Sequence, residues 1–284
     1  MKHIARYIPE EINGIKVVAI ADEYPIPIRK YLKTSIPKSK VLCYKLAYKY
    51  INARILMTEK LQQFYDTIIS IKPTLLLSTI VDTDRFIDVN ICHKGMIQRD
   101  YLCYMGNMEL SKDNVDNIIF AYTLIKDKYQ NLDLHLYGTP NSYTLSYLKS
   151  IIGDNNLENR VFIKGRASYN DVPKILSNAK ILVSSQPDTK RAEGGFPTKL
   201  GEYFMTGVPT LLTDVGEISM YVKNNINGYC VPPSDPQKYS QAIDYIMQHY
   251  EEALSVAEKA KNYVLNNFGY EVAGEKIEYF IQQL

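Results

Sequence analysis

A stretch in the second half of the chain combines glycine, proline, lysine and glutamate at spacings that suit anion and sugar recognition. Two glycines, Gly194 and Gly195, allow a backbone to approach a ligand closely, and Pro197 is typical of the first turn of a helix, where its missing N–H costs nothing. The unpaired N–H groups of such a turn and the helix dipole attract an anion, and Lys199 adds a full positive charge. Glu202 follows one helical turn later and can accept hydrogen bonds from a ribose diol. This layout is the one that a nucleoside-diphosphate sugar requires.

The elements around this stretch alternate between apolar strands and amphipathic helices. Apolar runs predict strands over 101–105, 132–138, 160–165, 180–185 and 209–213. Helical spacing of apolar residues predicts helices over 115–129, 142–152, 171–178, 197–206, 237–250, 251–267 and 270–283. The alternation indicates a Rossmann-like parallel sheet covered on both faces. Ligands of such sheets bind where the strands end, which directs attention to Gly106, Gly138, Gly165 and a predicted loop over 185–197.

The first ninety or so residues supply fewer elements. The pattern predicts a strand over 16–21, a helix over 40–50 with Ser39 as its cap, a strand over 54–58, a helix over 59–70 and a strand over 75–77. This is about half of a second α/β unit.

The composition limits the class of protein. Of 284 residues, 46% are hydrophobic and 23% charged, which is typical of globular proteins, and a net charge of +2 gives no general attraction to nucleic acid. The four cysteines form no CxxC pair and the four histidines no HExxH motif, so neither a metal site nor a disulfide framework is indicated. Residues 1–6 lack the apolar core of a signal peptide, and no apolar run is long enough to cross a bilayer. A reducing, cytoplasmic location is expected.

The stretch from Glu193 to Pro209 closely resembles the donor-binding signature of family 4 glycosyltransferases, which have the two-Rossmann-domain GT-B architecture. In that signature seven residues separate two glutamates, whereas eight separate Glu193 from Glu202 in this chain. Gly207-Val208-Pro209 then leads into the next strand, as it does in the family. The resemblance implies that Glu193 hydrogen-bonds the donor sugar and that Glu202 holds the ribose.

Other segments extend the resemblance over almost the whole chain. Residues 104–107, followed by 111–116, resemble the first strand and the phosphate loop of the donor domain. The family usually has an arginine where this chain has Asn107, and Lys112 supplies the lysine that the family places near the start of the next helix. Three further segments resemble, in order, the last part of the acceptor domain, the link between the domains and the segment that passes the nucleobase: 54–59, 81–86 and 161–166.

The fold that the resemblance implies is an α/β GT-B type, with one complete Rossmann-like donor domain and a partial N-terminal Rossmann-like domain. The expected boundaries are 1–95 for the partial acceptor-side domain, 96–268 for the nucleotide-sugar donor domain and 269–284 for a C-terminal helix that crosses back to the N-terminal part. Family members carry further sequence before the position of Met1, so an N-terminally truncated protein is expected.

The activity that the resemblance implies is transfer of a sugar, with retained anomeric configuration, from a UDP- or GDP-linked donor to a glycan or lipid-linked acceptor. The family needs no metal or other cofactor. The implied catalytic residues are Glu193, Lys112 and Lys199, the two lysines neutralising the departing diphosphate. The implied donor-binding residues are Gly106, Asn107, Gly138, Gly165, Gly194, Gly195, Phe196, Pro197, Thr198 and Glu202. No enzymic nucleophile or general base is assigned.

The expected setting is bacterial polysaccharide biosynthesis in the cytoplasm, with contact to the inner face of the membrane and no nucleic-acid partner. Self-association through the incomplete N-terminal part is also expected, because a partial sheet exposes an edge and apolar surface.

Three other functions stay open at this stage. The chain could be a nucleotide-sugar-binding remnant without transferase activity, or a GT-B-shaped sugar-nucleotide epimerase. A Rossmann oxidoreductase is disfavoured because no GxGxxG motif follows a strand. Arg166, Arg191 and the histidines are interpreted as surface or structural residues.

Overall fold

The computed structural model describes residues 15–31, 33–87, 89 and 99–284. Residues 1–6, on which the signal-peptide prediction rests, lie outside this part of the chain, as do Cys92, His3 and His93. The described residues divide into two compact units. Unit 1 contains the described residues within Met1–Thr79, Thr189–Phe196 and Glu271–Leu284, and unit 2 contains those within Ile80–Asp188 and Pro197–Tyr270.

The elements are numbered along the chain. The strands are β1 (Val18–Ala21), β2 (Ala53–Leu56), β3 (Thr74–Leu76), β4 (Asp100–Met105), β5 (Leu132–Tyr137), β6 (Val161–Gly165), β7 (Ile181–Val183), β8 (Thr210–Thr213) and β9 (Tyr229–Val231). The helices are α1 (Ile26–Arg29), α2 (Lys38–Tyr48), α3 (Glu59–Ile68), α4 (Leu110–Asp113), α5 (Val115–Thr123), α6 (Ser142–Asp154), α7 (Val172–Ser177), α8 (Lys190–Gly194), α9 (Lys199–Met205), α10 (Ile218–Tyr221), α11 (Pro236–Gln248), α12 (Tyr250–Asn267) and α13 (Tyr270–Gln282). A short 3-10 helix spans Thr83–Phe86.

Unit 2 is built on a six-stranded parallel sheet in the order β6-β5-β4-β7-β8-β9. Both faces of this sheet are buried. Along β4, Leu102 and Tyr104 point into a core that α5, α6 and α11 help to form, whereas Tyr101 and Cys103 point into a second core formed with α7 and α9. This is the doubly wound, Rossmann-like α/β arrangement, and the fold class predicted from the alternating pattern is confirmed.

Unit 1 contains a three-stranded parallel sheet in the order β1-β2-β3. Its core joins residues of β2 to α1, α2 and α3, with Tyr44, Tyr48 and Tyr65 among its largest members. Within β2 the side chain of Arg54 is fully buried, and it bonds Asp66 at 2.6 Å and the Thr74 hydroxyl at 2.8 Å. A charge removed from water in this way requires such partners.

The predicted strands and long helices match the observed ones within a few residues, but three details were wrong. The N-cap of α2 is Pro37 and not Ser39, which lies inside the helix. α5 ends at Thr123, before the predicted 129. The predicted loop over 185–197 contains α8, whose first turn is capped by the Thr189 hydroxyl, which accepts a hydrogen bond from the Ala192 N–H at 3.2 Å.

In the part of the chain that the structure describes, no helix is long and apolar enough to span a membrane.

Candidate functional site

The strand order of unit 2 creates a topological switch point between β4 and β7. From β4 the chain proceeds outward through β5 and β6 on one side, and then returns to β7 on the other side. Crevices outside the carboxyl ends of the strands at such a point are the usual ligand sites of doubly wound sheets. Gly106 directly follows β4 and therefore lies at this position.

Close packing explains two of the glycines at the strand ends. A Cβ on Gly138, whose φ is +150°, would lie 1.9 Å from the carbonyl oxygen of Gly106. A Cβ on Gly106 would lie 2.4 Å from the Tyr104 hydroxyl and 2.7 Å from the Lys199 Nζ. Gly165 differs, because no atom lies within 4 Å of its Cβ position. Glycine is favoured there by the positive φ of +74°. The backbone at Gly106 is thus brought directly against a lysine ammonium group.

Tyr203 holds α9 against the end of β4. Its hydroxyl accepts a hydrogen bond from the Met105 N–H at 2.8 Å, and its ring is buried against the Cys103 side of the sheet. Because Lys199 lies one turn before Tyr203 on α9, this anchor directs the lysine side chain toward Gly106. The lysine therefore reaches the strand end through packing of its own helix.

The Lys199 ammonium forms a largely buried ion pair. Its Nζ donates to Asp113 Oδ1 at 2.8 Å and to the Tyr104 hydroxyl at 3.3 Å. The lysine side chain is 16% exposed and the aspartate side chain 2% exposed. An ammonium group has three N–H donors, so these two acceptors leave one donor for a ligand.

Burial and charge shift the pKa values of these groups in directions that follow from their contacts. Burial lowers the pKa of Lys199, although Asp113 opposes this shift. Burial acts to raise the pKa of Asp113, but the charge and hydrogen bond of Lys199 outweigh it, so the pKa of Asp113 lies below its usual range. The positive charge of Lys112 also lowers both pKa values. With Asp113 ionised, these two lysines and the aspartate carry a net charge of one positive.

The loop after β4 contains a strained residue beside this pair. Met108 is fully buried and has a positive φ of 56°, a conformation that L side chains rarely adopt. Its N–H donates to the Tyr104 hydroxyl at 3.4 Å. Burial, followed by the charge of Asp113, raises the pKa of Tyr104, which keeps this hydroxyl protonated. Strain of this kind persists only where the surroundings fix the backbone, as they do here.

Glu202, one turn after Lys199 on α9, is held by Arg85. Arg85 donates to Glu202 Oε1 at 2.5 Å and to the Tyr169 carbonyl at 2.6 Å. Its guanidinium also stacks on the Tyr169 ring at 3.6 Å, and the Tyr169 hydroxyl donates to Asp82 at 3.1 Å. The Glu202 side chain is 33% exposed, and Oε2 accepts no bond from the described residues. This oxygen is available for a ligand hydroxyl.

Glu193 belongs to unit 1, where it lies on α8 and pairs with Lys190 at 2.6 Å. The neighbouring Gly194 is explained by packing within the same unit. A Cβ there would lie 2.2 Å from the Tyr24 ring, and its carbonyl accepts a bond from the Thr58 hydroxyl at 3.0 Å. The ligand contacts expected of Glu193 and Gly194 therefore remain predictions.

Replacement of Gly194 by alanine is expected to lower the free energy of unfolding by about 1–3 kcal/mol, because the added methyl group overpacks the Tyr24 ring. Gly274→Ala on α13 is the control, since no atom lies within 4 Å of its Cβ position, and it should raise stability by about 0.5–1 kcal/mol. Urea unfolding measures both. Unchanged stability of Gly194→Ala together with lost nucleotide binding would instead assign Gly194 to a ligand.

The other predicted residues occupy varied environments. Phe196 is buried in unit 1, its N–H donating to the Met57 sulfur at 3.2 Å, and a Cβ on Gly195 would lie 3.2 Å from the Arg191 carbonyl oxygen. In unit 2, Pro197 is buried and its carbonyl accepts from the Leu200 N–H at 2.8 Å. The side chains of three residues are exposed to solvent, namely Asn107, Arg166 and Thr198.

His135 is interpreted as structural. Its ring stacks on Tyr101 with centroids 4.3 Å apart, and burial lowers its pKa to about 4.

Among the described residues, no group of three or more His, Cys, Asp or Glu side chains is placed to hold a metal ion.

Sequence reasoning missed the residues that hold the two charged groups of α9. Asp113, Tyr104 and Arg85 were assigned to segments that resemble the family, without a role. One signal could have found Asp113, because a lysine directed at a buried strand end needs a counter-charge.

A doubly wound sheet whose switch point carries a lysine ammonium, with a glutamate one helical turn away, defines a Rossmann-like ligand-binding unit. Residues 97–263 match the family described as glycosyl transferases group 1. The chain belongs to this family, and the family 4 resemblance is confirmed. No curated protein sequence matches the chain significantly.

Solved structures show that the fold is part of the GT-B fold. Anabaena HepE in complex with UDP-glucose has a TM-score of 0.76 and 14% identity, over 95% of this chain and 72% of that one. S. aureus TarM, as a mutant in complex with fondaparinux, alpha-GlcNAc-glycerol and UDP, has a TM-score of 0.72 and 19% identity, over 93% and 50%. The pneumococcal O-GlcNAc transferase GtfA in complex with UDP and GlcNAc has a TM-score of 0.70 and 16% identity, over 94% and 52%. The chain thus spans between half and about 72% of the length of these proteins.

Proposed function

We propose that the protein binds a nucleoside-diphosphate sugar and transfers the sugar, with retained configuration, to a hydroxyl of a glycan or lipid-linked acceptor. The observation that supports this most strongly is the pair of charged groups on α9. The Lys199 ammonium and the Glu202 carboxylate lie one turn apart, and each keeps hydrogen-bonding capacity beyond its partner in the protein. HepE and GtfA, whose folds are similar, were solved with UDP-glucose and with UDP and GlcNAc, which favours a UDP-linked donor.

The diphosphate is assigned to Lys199 and Lys112. The remaining N–H of the Lys199 ammonium would donate to a phosphate oxygen without breaking the bond to Asp113. Lys112, whose positive charge lowers the pKa of Asp113, adds a second basic group near the site. Asn107 offers an amide in place of the family's arginine. The absence of a Cβ at Gly106 keeps room for the lysine beside the strand end.

The ribose is assigned to Glu202. A carboxylate held by one oxygen is preoriented, and its other oxygen would accept from the ribose hydroxyls. Gly138, Gly165, Pro197 and Thr198 would shape the backbone around the nucleotide. The roles of Glu193, Gly194, Gly195 and Phe196 toward the donor sugar are proposed from the family resemblance alone.

In the proposed reaction the bond between the anomeric carbon and the diphosphate oxygen breaks, and the acceptor hydroxyl oxygen bonds to the same carbon from the same face. The products are the glycoside, the nucleoside diphosphate and the proton of the acceptor hydroxyl. Negative charge develops on the departing diphosphate, where Lys199 and Lys112 would stabilise it. We assign no enzymic nucleophile and propose that no metal is required. The proposed setting is the cytoplasm, where such a donor is consumed for polysaccharide synthesis.

Calorimetric titration with UDP and GDP, beside an assay of donor turnover with and without acceptor, tests the proposal. Binding of one nucleotide together with acceptor-dependent turnover is the expected result. Binding without turnover would assign the chain as a nucleotide-sugar-binding remnant. Release of a free hexosamine without acceptor would indicate an epimerase, and binding of neither nucleotide would contradict the proposal.

A further inference from the structure

Basic residues are concentrated in one segment of unit 1. The chain as a whole carries a net charge of only +2. Between Glu23 and Glu59 there is no acidic residue, whereas the same segment contains Arg29, Lys30, Lys33, Lys38, Lys40, Lys45, Lys49 and Arg54. Arg54 is internal and paired with Asp66, but the six lysines are all exposed. The surface formed by this segment is therefore strongly positive.

The helix within this segment, α2, exposes two leucines among its lysines. Tyr44 and Tyr48 bury one face of α2 in the core of unit 1. On the other side, Leu42 is 58% exposed and Leu46 is 60% exposed. Residues three and four apart share a helix face, so these leucines lie directly beside lysines at both ends of the helix, namely Lys38, Lys45 and Lys49. Tyr50, just past the helix end, is 45% exposed as well.

A shallow cavity adjoins the same lysines. It measures about 430 Å³ and is lined by Lys45, Tyr48 and Lys49 of the α2 region and by residues 67–70 at the end of α3. Two ammonium groups and the hydroxyl of Ser70 are suitable donors to a phosphate group, whereas the Thr67 hydroxyl already donates to the Phe64 carbonyl. Basic, hydroxyl-bearing and exposed apolar groups are thus combined on one surface of unit 1.

From these observations we propose that the exposed face of α2 docks on a bilayer surface that contains anionic phospholipids. Leu42, Leu46 and Tyr50 enter the boundary between headgroups and acyl chains, while the lysine stems extend along it and their ammonium groups contact lipid phosphates. Each lysine near such a surface strengthens binding about fivefold. The cavity beside Lys45 and Lys49 receives one headgroup phosphate.

The composition of this face favours a membrane over other occupants. A second copy of the chain that docked through this same face would bring lysines against lysines, which repel. Nucleic acid would satisfy the lysines but leave Leu42 and Leu46 in water. An anionic bilayer complements both kinds of side chain at once. The proposal concerns a surface of unit 1 only and does not depend on the transferase activity proposed above.

Cosedimentation with lipid vesicles tests this docking. The full chain should bind vesicles that contain about 30 mol% phosphatidylglycerol and should not bind pure phosphatidylcholine vesicles. Leu42→Gln together with Leu46→Gln should weaken binding more than tenfold, and Lys45→Gln together with Lys49→Gln about 25-fold, from a fivefold loss per lysine. Raising the salt concentration to 0.5 M should also weaken binding of the wild-type protein to the anionic vesicles.

The control pair Leu254→Gln and Leu265→Gln replaces two partly exposed leucines of α12 in unit 2 and should leave vesicle binding unchanged. Circular dichroism verifies that every variant is folded. Failure to bind anionic vesicles, or equal binding by the Leu42/Leu46 variant and wild type, would overturn the proposal. Dissociation of an oligomer by that variant, without vesicle binding by the wild type, would assign the face to a second copy. Nucleotide calorimetry reports separately on the transferase proposal.

Discussion

Replacement of Lys199 by methionine is expected to weaken binding of the nucleoside diphosphate about a hundredfold, because a charge-assisted hydrogen bond to phosphate is lost together with its charge. The same change should lower the free energy of unfolding by about 3–5 kcal/mol, because Asp113 is 2% exposed and would be left without its counter-charge. Calorimetry measures the first effect and urea unfolding the second.

Two further variants separate the structural effect from the binding effect. Asp113→Asn keeps the ammonium group, so it should destabilise the protein while nucleotide affinity is kept or increased. The double variant Lys199→Met with Asp113→Asn removes both charges, so it should recover most of the lost stability without recovering binding. If Lys199→Met is destabilised but binds the nucleotide as tightly as wild type does, the lysine serves only to pair with Asp113.

Replacement of Glu202 by glutamine is expected to weaken nucleoside-diphosphate binding by about 10–100-fold, because a charged acceptor for the ribose hydroxyls is lost. Stability should change little, since the pair with Arg85 is part-exposed and such pairs contribute about 0–1 kcal/mol. The control ligand is the 2′-deoxy form of the same nucleotide, which lacks one of the ribose hydroxyls. Wild type should discriminate against it, whereas Glu202→Gln should bind both nucleotides with similar affinity in calorimetric titrations.

Equal discrimination by wild type and Glu202→Gln would show that the carboxylate does not contact the ribose. Arg85→Gln is the companion variant, because it frees both oxygens of Glu202 and leaves its charge in place. It should bind the nucleotide within a few fold of wild type, with a modest loss if the arginine preorients the carboxylate.

Local periodicity allowed the sequence to predict the sheet of unit 2 and its long helices. Along β4, the runs of apolar residues indicated burial on both faces, and Leu102 and Cys103 do point into separate cores. Helices of four or five residues, such as α1, α8 and α10, were missed because a single turn is shorter than the window in which a helical period becomes visible. The strand-end positions of Gly106, Gly138 and Gly165 were also predictable, because parallel sheets place their ligand loops there.

Contacts between distant parts of the chain were not predictable from local patterns. Asp113 and Lys199 are 86 residues apart, and Arg85 and Glu202 are 117 apart. Gly194 illustrates the same limit. Its sequence context suggests close approach to a ligand, whereas in the structure Tyr24, far earlier in the chain, occupies the space that a side chain would need.

The two units do not correspond to two continuous segments of the chain. Residues 189–196 and 271–284 belong to unit 1, although both segments are remote from residues 1–79 in sequence. The boundaries expected from the resemblance, at 95/96 and 268/269, remain a proposal about domains of the whole protein. Glu193 and Glu202 fall in different units, which local spacing alone does not reveal.

A crystal structure of the protein with UDP bound shows whether Lys199 and Glu202 contact the nucleotide. We expect a phosphate oxygen within about 3.2 Å of the Lys199 Nζ and a ribose hydroxyl within about 3.2 Å of the Glu202 carboxylate, with Asp113 still paired to the lysine. A nucleotide bound elsewhere, with Lys199 and Glu202 contacting only Asp113, Tyr104 and Arg85, would contradict this expectation.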